Sequence, residues 1–245
     1  MPPDFIYLLY QPKENEMKRI FFALAVLVLA SLACNAISSG TSNPPTLPTQ
    51  PSSQNTPQNS SGQVLFQDDF SDSSSGWPVD ADTDKSASYT ADNQYLLQAF
   101  TAKQDVWAHP GQSFGDVRME VDATKSSGPE DNSFGLVCRF VDNDNFYFFV
   151  VSSDGYQAIG KYQAGQFSYL SADKMQPTSN VKSGTAVNHL RADCIGSTLT
   201  LYINGQQTSS VSDSSFSTGD VGVIVGTFDT PNVGILFDNF VVYKP

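Results

Sequence analysis

From residue 63 to the C-terminus, apolar side chains recur at every second position in short runs, and turn-forming residues separate one run from the next. A two-residue period sends alternate side chains to opposite faces, which is the pattern of a strand with one face in a core. The runs predict strands at 64–67, 94–100, 113–123, 133–141, 145–152, 156–163, 166–170, 186–195, 198–204, 206–211, 220–227 and 233–243. Between them stand Asp142-Asn143-Asp144-Asn145, Ser153-Asp154-Gly155, Ala164-Gly165, Ile195-Gly196-Ser197 and Asn204-Gly205. The last pair is the strongest hairpin signal, because a type I′ two-residue turn needs positive φ at both central positions and Asn-Gly tolerates it. No long stretch has a helical period, so the fold class is all-β: two antiparallel sheets packed as a sandwich or jelly roll. Trp77, beside the first strand, is expected in the core. Trp107, within Asp105–Pro110, reads as part of a turn-like segment near a rim.

Upstream the pattern changes twice. Lys18 and Arg19 precede an apolar run from Ile20 to Ala33, and Cys34 follows. As a helix this run rises about 21 Å, short of a roughly 30 Å hydrocarbon core, so a leader is favoured over a permanent span. The segment 17–33 resembles a bacterial lipoprotein signal ending at a lipidated Cys34, with Ser31 where leucine is usual. A secretory signal cut near Ala33 and an uncleaved anchor are the other two readings. Residues 1–16 fit no part of such a leader, so Met17 is the expected start. Residues 34–62 are uncharged and rich in Ser, Thr, Pro, Asn and Gln, a composition that cannot offset its ordering entropy. They are read as a disordered tether of about 30 Å root-mean-square reach. The expected location is the extracytoplasmic side of a bacterial envelope, with the bilayer a partner through Cys34.

The chain carries a net charge of −12. Its three basic and three acidic residues before position 63 cancel, so the whole excess sits in the domain at 63–245. Such a surface repels phosphate backbones, which argues against nucleic acid. It suits solubility or calcium.

The stretches DDFSDSSSGW (68–77), FGLVCRF (134–140), NFYFFVVSSDGYQAIGKY (145–162), NHLRADCIGSTLTLYING (188–205), GDVGVIVG (219–226) and FDNFVV (237–242) resemble the concanavalin A-like jelly roll. Within it they are similar to the laminin-G-like and DUF1080 (3-keto-disaccharide hydrolase-like) branch. The resemblance covers nearly all of 63–245 and implies two curved sheets with the first and last strands adjacent. It implies no single activity, because lectins, glycosidases and adhesion modules share the scaffold.

Cys138 and Cys194 each fall in mid-strand of an exported domain, so a disulfide is expected, with a pair of buried thiols as the alternative. Closing the loop between them contributes about 4 kcal/mol in the chain-entropy model. If the bond forms, Leu136, Cys138 and Phe140 share a core face with Leu190, Ala192 and Cys194. Arg139, His189, Arg191 and Asp193 then gather on one outer surface, joined by Tyr147 and by Tyr156 or Tyr162. Rings beside planar hydrogen-bonding groups suit a sugar, so these residues and Trp107 form the candidate ligand site. A polar outer face containing an Arg191–Asp193 ion pair is the plainer reading.

Two carboxylates across a scissile bond mark a glycosidase. Glu120 and Asp122 face one side of a strand and resemble the start of the E-x-D-x-x-E signature of jelly-roll glucanases, but Thr124 and Lys125 occupy the candidate places for its third acid. His109 and His189 show no sequence partner for a metal or triad site. Calcium is the better inorganic candidate, with Asp68, Asp69 and Asp72 near the first strand and Asp238 and Asn239 on the last. The Asp142–Asn145 turn is a weaker locus. The sequence therefore points to a membrane-anchored, non-catalytic binding module for carbohydrate. A glycoside or 3-keto-disaccharide hydrolase is the first alternative, and a module that binds a cell-envelope protein is the second.

Overall fold

The structure is a computed structural model that describes residues 62–245. Residues 1–16, the segment 17–33 read as a leader, Cys34 and the segment to residue 61 read as a tether lie outside the described residues.

Two antiparallel sheets make up the domain. One runs β15 (Gln206–Ser212), β14 (Thr198–Ile203), β13 (Asn188–Ile195), β7 (Val117–Ser127), β17 (Val233–Tyr243), β4 (Tyr95–Ala99), β3 (Lys85–Tyr89) and β2 (Asp80–Ala81), with β1 (Val64–Asp68) paired to β17. First and last strands are thus neighbours. The other runs β11 (Gln166–Tyr169), β10 (Tyr156–Gln163), β9 (Asn145–Ser152), β8 (Asn132–Asp142), β16 (Gly219–Thr227) and β5 (Asp105–Ala108). On it β12 (Gln176–Pro177) pairs with β10, and β6 (Ser113–Phe114) pairs with β16. Asn204 and Gly205 both have positive φ in the hairpin between β14 and β15.

Alternation places Met119, Val121 and Ala123 of β7 inside, against Leu136 of β8, Phe149 of β9 and Val223 of β16. Trp77 is buried beside Phe70, Tyr95 and Phe240, its ring 5.0 Å from that of Phe240. Cys138 and Cys194 form a disulfide that ties β8 to β13, one strand of each sheet.

That bond overturns the expected gathering of residues. Because β8 and β13 belong to opposing sheets, their outward side chains point away from each other. A bulge moves Arg139 as well. Its φ is 50°, and register shifts there both in the pairing of β8 with β9, between Cys138 and Asp142, and in that with β16. One extra residue in a ladder reverses the facing of those after it. Arg139 turns in, and Phe140 turns out to join the rings on the outer face. At 2% exposure, Arg139 donates from Nη1 to the Phe216 carbonyl (2.8 Å) and from Nη2 to Asp116 Oδ1 (3.1 Å) and the Cys194 carbonyl (3.4 Å). Tyr147 also faces inward. Fully buried, it donates its hydroxyl to Asp213 at 2.6 Å. Neither residue lies on an outer surface, contrary to the sequence reading.

Candidate functional site

The outer face of the β11–β5 sheet departs from the polar surface usual for such a position. Alternation sends out Phe146, Phe148 and Val150 of β9, Ala158, Gly160 and Tyr162 of β10, Phe167 and Tyr169 of β11, Ile224 of β16, and Asp105 and Trp107 of β5. The rings lie against one another. Phe148 and Phe167 stack at 5.2 Å and 15°, Phe146 and Tyr162 at 4.9 Å and 26°, and Trp107 sits 4.9 Å from Phe146. Glycine makes this layering possible, since a Cβ on Gly160 would fall 2.2 Å from Phe148 Cζ. Phe146 is sealed beneath its neighbours, whereas Phe167 remains 44% exposed.

A cavity of about 290 Å³ opens on this face, walled by Tyr162, Phe167, Tyr169 and Phe228 and floored by Ile224. Asp105 and Ser133 enter it over Gly226, which has no side chain to block them. A Cβ there would stand 2.2 Å from Asp105 Oδ1 and 2.3 Å from Ser133 Oγ. Asp105 Oδ2 accepts the Tyr162 hydroxyl at 2.7 Å. Burial pushes the Asp105 carboxyl up and the Tyr162 bond opposes it. Burial, then the Asp105 charge, pushes the Tyr162 phenol far up, which keeps it protonated as the donor. Lys103 stands at the rim in an exposed pair with Asp229. Ring faces beside a carboxylate and hydroxyls match a ligand with apolar faces and hydroxyl edges.

Asp105–Ala108 is an edge strand, not the turn-like segment expected, and it aims Trp107 along this face. The indole Nε1 donates to Asn143 Oδ1 at 3.2 Å. Of the other expected ligand residues, Tyr162 and Tyr156 share the face, Tyr156 at 40% exposure. Asp105, Ser133 and the β11 rings carried no sequence motif. Their one signal was the outward phase of an aromatic-rich β9 and β10.

His189, Arg191 and Asp193 lie instead on the outside of the other sheet. Register sets them opposite Asp122, Glu120 and Arg118. His189 has partners that the sequence did not suggest: its Nδ1 is 2.8 Å from Asp122 Oδ1 and its Nε2 3.6 Å from Glu120 Oε2. The imidazole pKa is raised to about 9, by the Glu120 carboxylate first and by Asp122 next, against desolvation. Arg191 forks onto Asp193 at 2.8 and 2.6 Å and lies 4.2 Å over the Tyr202 ring. Both candidate catalytic carboxylates are thus held in a charge-paired patch. Lys125, at a candidate place for the third acid, is buried and paired with Glu130. His109 is also partnered, with Nδ1 2.7 Å from Asp220 Oδ2.

The acids proposed for calcium do approach one another, and Asp68, Asp69, Asp72 and Asn239 line a cavity of about 400 Å³. At least one oxygen of each aspartate is engaged locally. Asp68 accepts from the Phe70 amide, Asp69 from Ser71 and Asp72 from Ser74, while Asp238 accepts from the Asn239 amide. In the Asp142–Asn145 turn, Asp142 accepts from Asp144 and Asn145. Among the described residues no three His, Cys, Asp or Glu side chains form a metal-ligand group.

No family model matches this chain, and no curated protein matches it in sequence. Solved structures do match it in fold. The carbohydrate-binding module CBM66 from Bacillus subtilis aligns with a TM-score of 0.56 at 20% identity, over 69% of this chain and 96% of that one. A Bacillus licheniformis β-glucanase aligns at 0.55 and 12%, over 75% and 99%. A Bacillus subtilis protein of unknown function with a galectin-like fold gives 0.54 and 12%, over 75% and 97%. The described domain is a concanavalin A-like jelly roll.

Proposed function

We propose that this chain is a non-catalytic carbohydrate-binding module, held on the extracytoplasmic side of a bacterial membrane by lipid on Cys34 and extended from it by the tether at 34–62. The observation that carries the binding role is the aromatic groove on the β11–β5 sheet, with Asp105 and Ser133 set among its rings. Pyranose C–H faces pack on such rings, and hydroxyls pair with the carboxylate and hydroxyl groups. The fold shared with a carbohydrate-binding module and a glucanase supports the same reading. The leader and the cysteine that ends it support the anchor.

A glycan array probed with the full chain, beside Phe167→Ala, tests the binding role. Selective binding by the wild type, weakened about tenfold by loss of one stacked ring, supports it. A blank array from folded protein overturns it and favours the envelope-protein module. Labelling with a fatty-acid analogue in a bacterial host tests the anchor, since Cys34→Ser must abolish the label.

A further inference from the structure

Beyond Tyr169 and Phe228, which wall the first cavity, lies a second of about 490 Å³ that has the same two residues on its border. Tyr156, Met175, Asp131 and Asp154 also line it. Tyr156 and Tyr162 are outward residues of β10, six positions and about 20 Å apart at the rise of a strand. The outward positions between them are Ala158 and Gly160, so no bulky β10 side chain stands in the way.

We propose that the second cavity is a second subsite for one linear oligosaccharide lying along β10, so that the domain selects a chain of several sugar units without acidic substituents. This rests on reading the first cavity as a sugar site. Length follows from the spacing: one ring fills one cavity, and only a chain reaches from Tyr162 to Tyr156. Stacking surface is present at both ends, because Tyr156 is 40% exposed and Tyr169 borders both cavities. Charge excludes acidic chains. Asp105 stands in the first cavity and Asp131 and Asp154 in the second, against Lys103, already paired with Asp229, and Lys174. Burial first, then the charges of Asp131 and Glu130, raises the Asp154 carboxyl. A uronate or phosphate substituent would meet like charge in both cavities.

Isothermal titration of the full chain, in a non-glycosidic detergent, with cello-, xylo- and N-acetylchito-oligosaccharides of one to six units tests this. In a series that binds, Kd is expected to fall about five- to tenfold from two units to the longer members, the worth of one more stacked ring. Tyr156→Ala should remove that gain and leave the two-unit Kd unchanged, Tyr156→Phe should retain it, and oligogalacturonates should bind at least about tenfold more weakly than neutral chains. A Kd independent of length, or a Tyr156→Ala loss equal for short and long chains, overturns the second subsite alone. Oligogalacturonates binding as tightly as neutral chains overturns the charge selection. Silence in all three series overturns the sugar reading of the first cavity, and the second subsite with it.

Discussion

Gly226→Ala adds one methyl group at the floor of the groove. That Cβ would stand 2.2 Å from Asp105 Oδ1 and 2.3 Å from Ser133 Oγ, on the strands flanking β16. Both side chains are short, so relief requires Asp105 to swing away and break its 2.7 Å bond from the Tyr162 hydroxyl. A hydrogen bond to a charged acceptor contributes about 1.5–3 kcal/mol. Replacing glycine restores about 0.4–1 kcal/mol by restricting the unfolded chain, which leaves a net loss of about 1–2 kcal/mol. For a domain of this size that lowers Tm by about 2–8 °C. Sugar affinity should fall at least about tenfold, because a displaced carboxylate no longer meets the ligand. Calorimetry and the glycan array measure the two effects. Asp105→Asn separates them, since an amide oxygen still accepts from Tyr162: it should melt within about 1 kcal/mol of the wild type and yet bind weakly. If Gly226→Ala melts and binds like the wild type, Asp105 does not lie against this strand and the groove lacks its carboxylate.

Arg139→Ala deprives the partly buried Phe216 carbonyl and the buried Cys194 carbonyl of their donor and should cost about 2–4 kcal/mol, a drop of about 5–15 °C in Tm. Binding below that temperature should be unchanged, and an unaltered melt would refute the inward placement. The folded His189 pKa of about 9 lies above its ordinary 6.5, so its stabilising effect is complete below about pH 6.5 and disappears as pH rises through 9. His189 is half-exposed, so the effect is small and salt-sensitive. His189→Gln should therefore melt below the wild type at pH 6 and level with it at pH 10, whereas a pH-independent gap would count against the Glu120–His189–Asp122 pairing. Chelator should leave Tm unchanged, and a rise of several degrees on adding calcium would show that Asp68, Asp69, Asp72 and Asp238 rearrange to bind it.

Alternation is a local property, so it carried the strands. Eleven of the twelve predicted runs each fall on one observed strand, the run at 113–123 divides between Ser113–Phe114 in one sheet and Val117–Ser127 in the other, and Asn204-Gly205 makes its hairpin because the two residues alone satisfy the backbone there. Strands with little apolar content escaped: Lys85–Tyr89 has one buried residue, and Asp105–Ala108 is too short for a period to show. The two cysteines told that a bond was available but not that it would cross from sheet to sheet, and that crossing sends Arg139 and His189 to different parts of the molecule. The inward turn of Arg139 came from a bulge with positive φ at a residue that carries no signature for one. Sequence alone thus determined strand content, turn chemistry and the acidity of the domain, all set by neighbours along the chain. Tertiary structure decided which face each side chain occupies and which strands lie side by side. Asp105, Ser133 and Gly226 meet only because β5 and β8 flank β16, and pairing between segments so distant in sequence depends on the packing of the whole sandwich rather than on any local pattern.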